Sequence, residues 1–78
     1  MSLEHEFSVV LEPQEGGGYT VLVPALPEVV TEGDTEEEAL RMVGEAIRVV
    51  LAYRRDHGIP IPTDVLPEVR HVKVAAAE

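Results

Sequence analysis

A small α+β domain of order βββαβ, with one long helix packed on one face of a sheet ordered 3-2-1-4, is the fold this sequence predicts. Three observations predict it: two short runs of alternating hydropathy on either side of a glycine run, one segment of helical periodicity behind a capping signature, and a last alternating run late in the 78 residues. In residues 7–12, Phe7, Val9 and Leu11 alternate with Ser8, Val10 and Glu12, because a strand points successive side chains to opposite faces. Val10 interrupts the polarity of the second face and indicates that this face too is partly covered. Pro13 and the run Gly16, Gly17, Gly18 break the chain. Residues 19–23 then resume the alternation, with Tyr19, Val21 and Val23 on one side, and the pair reads as a β-hairpin. Pro24 and Pro27 lack the N–H that a central ladder needs, so residues 24–27 form a turn leading to a short third strand over 29–32.

The strongest local signal follows Gly33 and Asp34. Thr35 with Glu38 three residues on is a capping box, and Glu36 and Glu37 stand where the start of a helix favours negative charge. At ~100° per residue, Ala39, Leu40, Val43, Ala46, Ile47, Val50 and Leu51 fall within an arc of roughly 140°, which is the expected core face. Glu37 and Arg41 form an i,i+4 pair on the outer face. Arg54, Arg55 and His57 complement the carbonyl end, and Gly58 offers a left-handed cap, so the helix is expected to end near His57. The proline-rich residues 58–64 read as a crossover. Residues 68–76, where Val69, His71 and Lys73 alternate with Arg70, Val72 and Val74, read as a last strand. A right-handed crossover lays that strand parallel to the first and beside it.

Charge narrows the function. The net charge is −9, and residues 1–40 hold ten acids with no Lys or Arg, whereas from Arg41 onward six basic residues face five acids. A field of this sign repels nucleic acid and anionic lipid, which recruit proteins through Lys and Arg, and attracts basic proteins. No direct nucleic-acid or membrane partner is therefore expected. With no cysteine there is no disulfide to reinforce so small a core, which favours self-association as a dimer or tetramer. The first residues lack the basic and apolar regions of a signal peptide, so a cytoplasmic location is expected.

No catalytic residue, metal ligand or cofactor site is expected. Glu36, Glu37 and Glu38 are consecutive on a helix and point in different directions, and the charge of the helix start accounts for them. His5, His57 and His71 have neither metal-ligand spacing nor a nucleophile at motif distance. The three glycines are followed by a strand and no Gly-Lys-Ser/Thr, unlike a phosphate loop. One feature exceeds structural need: Met42, Val49 and Tyr53 widen the helix's apolar arc to roughly 200°. Either residues 59–66 fold over this shoulder or it meets another subunit. Val72 and Val74 of the last strand, at an open sheet edge, are the second candidate oligomer contact.

The residues Phe7-Ser8-Val9-Val10-Leu11-Glu12-Pro13, Gly17-Gly18-Tyr19, Val23-Pro24-Ala25-Leu26-Pro27 and Thr31-Glu32-Gly33-Asp34-Thr35, followed by Glu37-Glu38-Ala39 and Ala46-Ile47, resemble the HicB-like antitoxin domain over roughly residues 5–64. The chain departs from the family where Gly-Cys commonly follows the Pro-x-Leu-Pro turn; here Glu28 and Val29 stand. The resemblance implies a partly degenerate ribonuclease H-like sheet. It also implies an antitoxin that binds a small basic RNA-cleaving toxin of the HicA-like type. A ribonuclease H-like active site needs carboxylates on the first and last strands, and residues 7–11 and 69–76 contain none, so no nuclease activity is expected. A single domain is expected over residues 1–78, without the DNA-binding portion of longer family members. Residues expected to meet the toxin are Glu12, Glu28, Glu32 and Asp34, which steer it, with apolar contact from Leu26. The alternative is a stand-alone oligomeric scaffold, or a regulatory domain for a small ligand, with no toxin of its own.

Overall fold

The computed structural model describes residues 4–77. Three strands, β1 (Val10–Pro13), β2 (Tyr19–Leu22) and β3 (Val30–Gly33), form an antiparallel sheet in the order β1-β2-β3, and the helix α1 (Glu36–Asp56) covers one face. This is the α+β class expected, with the 3-2-1 part of the predicted strand order in place. The hairpin between β1 and β2 closes through Gln14 N–H donating to Gly18 O at 2.9 Å and Gly17 N–H donating to Gln14 O at 3.0 Å. Gly16, Gly17 and Gly18 all take positive φ, a region that side chains with a Cβ rarely adopt.

Helix α1 starts where the capping signature lies. Thr35 Oγ1 accepts from Glu38 N–H at 3.1 Å, and the Glu38 carboxylate accepts in return from the N–H of Asp34, one residue before the position a standard capping box uses. Its other end closes on His57, whose N–H donates to Tyr53 O, and on Gly58, which takes the left-handed φ of 67°. Gly33 permits the close approach of sheet and helix, because a Cβ there would lie 2.4 Å from the backbone nitrogen of Ala39.

The core is small: Val21, Val23, Ala25, Leu26, Val29, Ala39 and Val43 are buried, with Phe7, Val9, Leu11, Tyr19, Ala46, Ile47, Val50 and Leu51 packed partly against them. Leu40, expected on the core face, is 40 % exposed. The helix packs on β3 and β2, so its flank carrying Leu40, Ile47 and Leu51 extends past the main sheet contact.

Two expectations are corrected. The first strand starts at Val10 rather than Phe7, because β2 ends at Leu22 and the Val23 carbonyl is taken by a turn bond from Leu26 N–H at 2.9 Å. Phe7 and Val9 still face the core, but their backbone has no strand opposite. The larger difference is the fourth strand. Residues 68–76 form no strand, and Val69, Val72 and Val74 are 75 %, 83 % and 80 % exposed. The crossover does return to the β1 side. Arg54 Nη1 donates to Pro60 O at 3.0 Å, and Asp64 accepts from Ser8 N–H at 2.8 Å and from Ser8 Oγ at 2.7 Å. Beyond that anchor, residues 65–77 run as an exposed arm.

Candidate functional site

The strand register sorts the sheet into two faces. Leu11, Val21 and Thr31 pair across it, as do Pro13, Tyr19 and Gly33, and these rows lie toward α1. The alternate rows, Val10–Leu22–Val30 and Glu12–Thr20–Glu32, therefore lie on the outer face. One is apolar and the other carries two exposed carboxylates. Val30 is 56 % exposed, and an open depression of ≈ 260 Å³ lined by Val10, Leu22, Pro24, Pro27 and Val29 adjoins it. Val10 and Leu22 are half-buried, so the exposed part of this apolar row is centred on Val30.

Among the expected partner contacts, Glu12 and Glu32 share one outer-face row, on either side of Thr20. Asp34 lies at the hairpin end, where with Glu32 and Glu38 it lines a polar depression of ≈ 280 Å³. The Glu38 carboxylate is occupied in capping. Glu28 is set apart from that row: it is paired to Arg54, whose Nη2 and Nε donate to Glu28 Oε2 at 2.9 and 3.3 Å. Those hydrogen bonds hold its carboxyl below the ordinary value of 4.5. Leu26 is fully buried and belongs to the core, so it cannot contact a partner; successive turns through Val23, Leu26 and Val29 fold it inward. The apolar side chains on the outer face with Glu12 and Glu32 are Val10, Leu22 and Val30. Val10, an apolar residue at a position of polar alternation, was their one local signal.

The helix shoulder stays open, with Met42, Val49 and Tyr53 exposed by 38 %, 69 % and 56 %. The returning segment is drawn to Ser8 and does not cover it. Tyr53 stacks on His57, ring centroids 4.0 Å apart. Among the described residues, no three His, Asp or Glu side chains gather as a metal site, and no helix is long and apolar enough to cross a membrane.

A three-stranded antiparallel sheet faced on one side by a single helix, with an apolar row beside an acidic one on the other, defines a small α+β domain. Comparison with known proteins gives its kinship. A UPF0150 protein of Thermoplasma acidophilum is 39 % identical over 64 residues, which are 82 % of this chain and 93 % of the relative. Antitoxin HicB 1 of Photorhabdus laumondii is 38 % identical over 73 residues, 91 % of this chain and 47 % of the relative. Antitoxin HicB 2 of the same organism is 34 % identical over 77 residues, 99 % of this chain and 55 % of the relative. No family model matches. The chain belongs to the HicB-like antitoxin domain family, to which the UPF0150 proteins are joined by this similarity. It spans about half the length of the two antitoxins and nearly all of the Thermoplasma protein.

Proposed function

We propose that the chain is an antitoxin-like, non-enzymatic binding module that neutralises a small basic RNA-cleaving toxin by covering its RNA-binding surface. The observation that carries this reading is the outer sheet face, where Val10, Leu22 and Val30 lie beside Glu12 and Glu32. A toxin surface built to hold RNA is basic. The carboxylates raise its rate of encounter and orient it, and burial of the apolar row slows dissociation. Kinship to proteins named as HicB antitoxins supports the role. The net charge of −9 fits a partner of opposite sign.

The test is co-expression with small basic proteins encoded beside the chain, followed by an RNA-cleavage assay on the purified complex. The expected result is a complex in which cleavage is silenced, and in which Val30→Arg with Glu32→Arg restores cleavage while the helical circular-dichroism signal is kept. Absence of a complex, or a complex that still cleaves, removes the reading. A second reading is then favoured by the open helix shoulder, where Met42, Val49 and Tyr53 are exposed: a stand-alone oligomeric scaffold or small-ligand regulatory domain without a toxin.

A further inference from the structure

The arm, residues 65–77, combines features that do not belong together in a solvated tail. It has no secondary structure of its own, its β-branched residues alternate, and Val65, Leu66, Val69, Val72 and Val74 are 49 % to 83 % exposed. The domain meanwhile lacks a strand where the arm begins. Asp64 is fastened to Ser8 beside the start of β1, and β1 is hydrogen-bonded on one side alone. Over β1 the helix overhangs the sheet. His5, Phe7, Gly44, Ile47, Arg48 and Leu51 line an open groove of ≈ 310 Å³, and Leu40, on the same helical flank, is 40 % exposed. The sheet is one strand too narrow for its helix.

The arm cannot supply that strand to its own domain. Starting from Asp64 beside Ser8 and running parallel to β1, it reaches Val69 when β1 reaches its last residue, Pro13, since each is five residues on. Within those five, Pro67 has no N–H to donate. The alternating part of the arm, from Val69 on, overhangs its own sheet. A second molecule offers what the first cannot, a full β1 edge.

We infer that the arm of one copy adds as a strand to the β1 edge of a second copy, and the second copy's arm to the first, in a reciprocal exchange. Charge favours this occupant. Residues 65–78 hold two basic residues, Arg70 and Lys73, and two acids, whereas residues 4–58 hold four basic residues against twelve acids. The arm, balanced in charge and carrying both basic residues that follow the helix, meets an acidic body without the repulsion that two acidic surfaces would suffer. Val72 and Val74, two residues apart, fall on one face of the added strand and close the groove beside Phe7, as an intramolecular fourth strand would have done. Edge addition leaves the outer face of the sheet open, so the exchange does not depend on the toxin reading.

The experiment is sedimentation velocity of the full chain at tens of micromolar, with hydrogen exchange on the same samples. The expected result is a dimer that becomes a protomer in the double variant His71→Pro with Val72→Pro, which removes one donor toward each edge of the arm, while circular dichroism keeps the helix signal. The amides of β1 lose protection in that variant and those of β3 do not. A wild-type protomer, a dimer that survives both prolines, or loss of protection at β3 in place of β1 would each overturn the inference. So would a dimer dissolved by Val49→Glu and untouched by the prolines, because the helix shoulder would then be the interface.

Discussion

The body of the domain and its arm are built from similar residues and meet opposite fates. Val21 and Val23 in the body are 0 % and 2 % exposed, whereas Val72 and Val74 in the arm, with the same spacing, are 83 % and 80 % exposed. Nothing in the side chains separates them. The body's alternation is answered by strands on both sides of β2 and by a helix above it. The arm's is answered by nothing within its own chain. Alternating hydropathy therefore specifies a strand only conditionally, on a neighbour of suitable length being within reach.

The sharpest way to break this comparison is one truncation in each region. Leu26→Ala removes the largest fully buried side chain and should destabilise the protomer by ~3 kcal/mol, read from urea unfolding. Leu66→Ala, at a site 78 % exposed, should leave the dissociated protomer unchanged within about 0.5 kcal/mol. Equal losses at the two sites would mean that the arm is packed on its own body. Next in size is Gly33→Ala. The new Cβ would lie 2.4 Å from Ala39 N, so helix and sheet must move apart, at roughly 1–3 kcal/mol. A neutral result would show that the sheet–helix contact yields more readily than the geometry allows.

The same contrast explains what was legible in the sequence. Glycines 16 to 18 and the spacing of Tyr19, Val21 and Val23 announced the hairpin, and Thr35, Glu38 and Gly58 marked both ends of the helix, because turns and caps are decided by residues close in sequence. Leu26 was misjudged because burial of a turn residue depends on where successive turns carry it, which no local pattern records. The outer-face rows were half visible. Glu12 and Glu32 stood out as acids, but their alignment through Thr20 is a matter of inter-strand register. The fourth strand has the composition of one and lacks only a partner, and partners are not written in a strand's own residues.

Thr35→Ala sharpens the local side of that distinction. Losing the Oγ1 acceptor for Glu38 N–H should cost ~1 kcal/mol, with helix content falling at the first turn as seen by amide exchange, and leave the association of copies unchanged. If the dimer were lost with the cap, helix and arm would not be independent regions.

The smallest expected effect lies at the joint between them. Asp64 is held below its ordinary value of 3.8, first by the N–H of Ser8 and then by the Ser8 hydroxyl, both of which stabilise the carboxylate. Because the folded value is the lower one, the anchor's contribution is fully present above pH 3.8 and is lost as pH falls through the folded value. The Ser8 amide resonance should therefore keep its hydrogen-bonded position at neutral pH and move upfield as pH falls through the lowered Asp64 value, and Asp64→Asn should remove the titration. The pair is solvent-exposed, so global stability should change little while the arm is released from β1. A Ser8 amide already free at neutral pH would detach arm from body at the outset, and the five-residue count that denies the arm its own sheet would lose its origin.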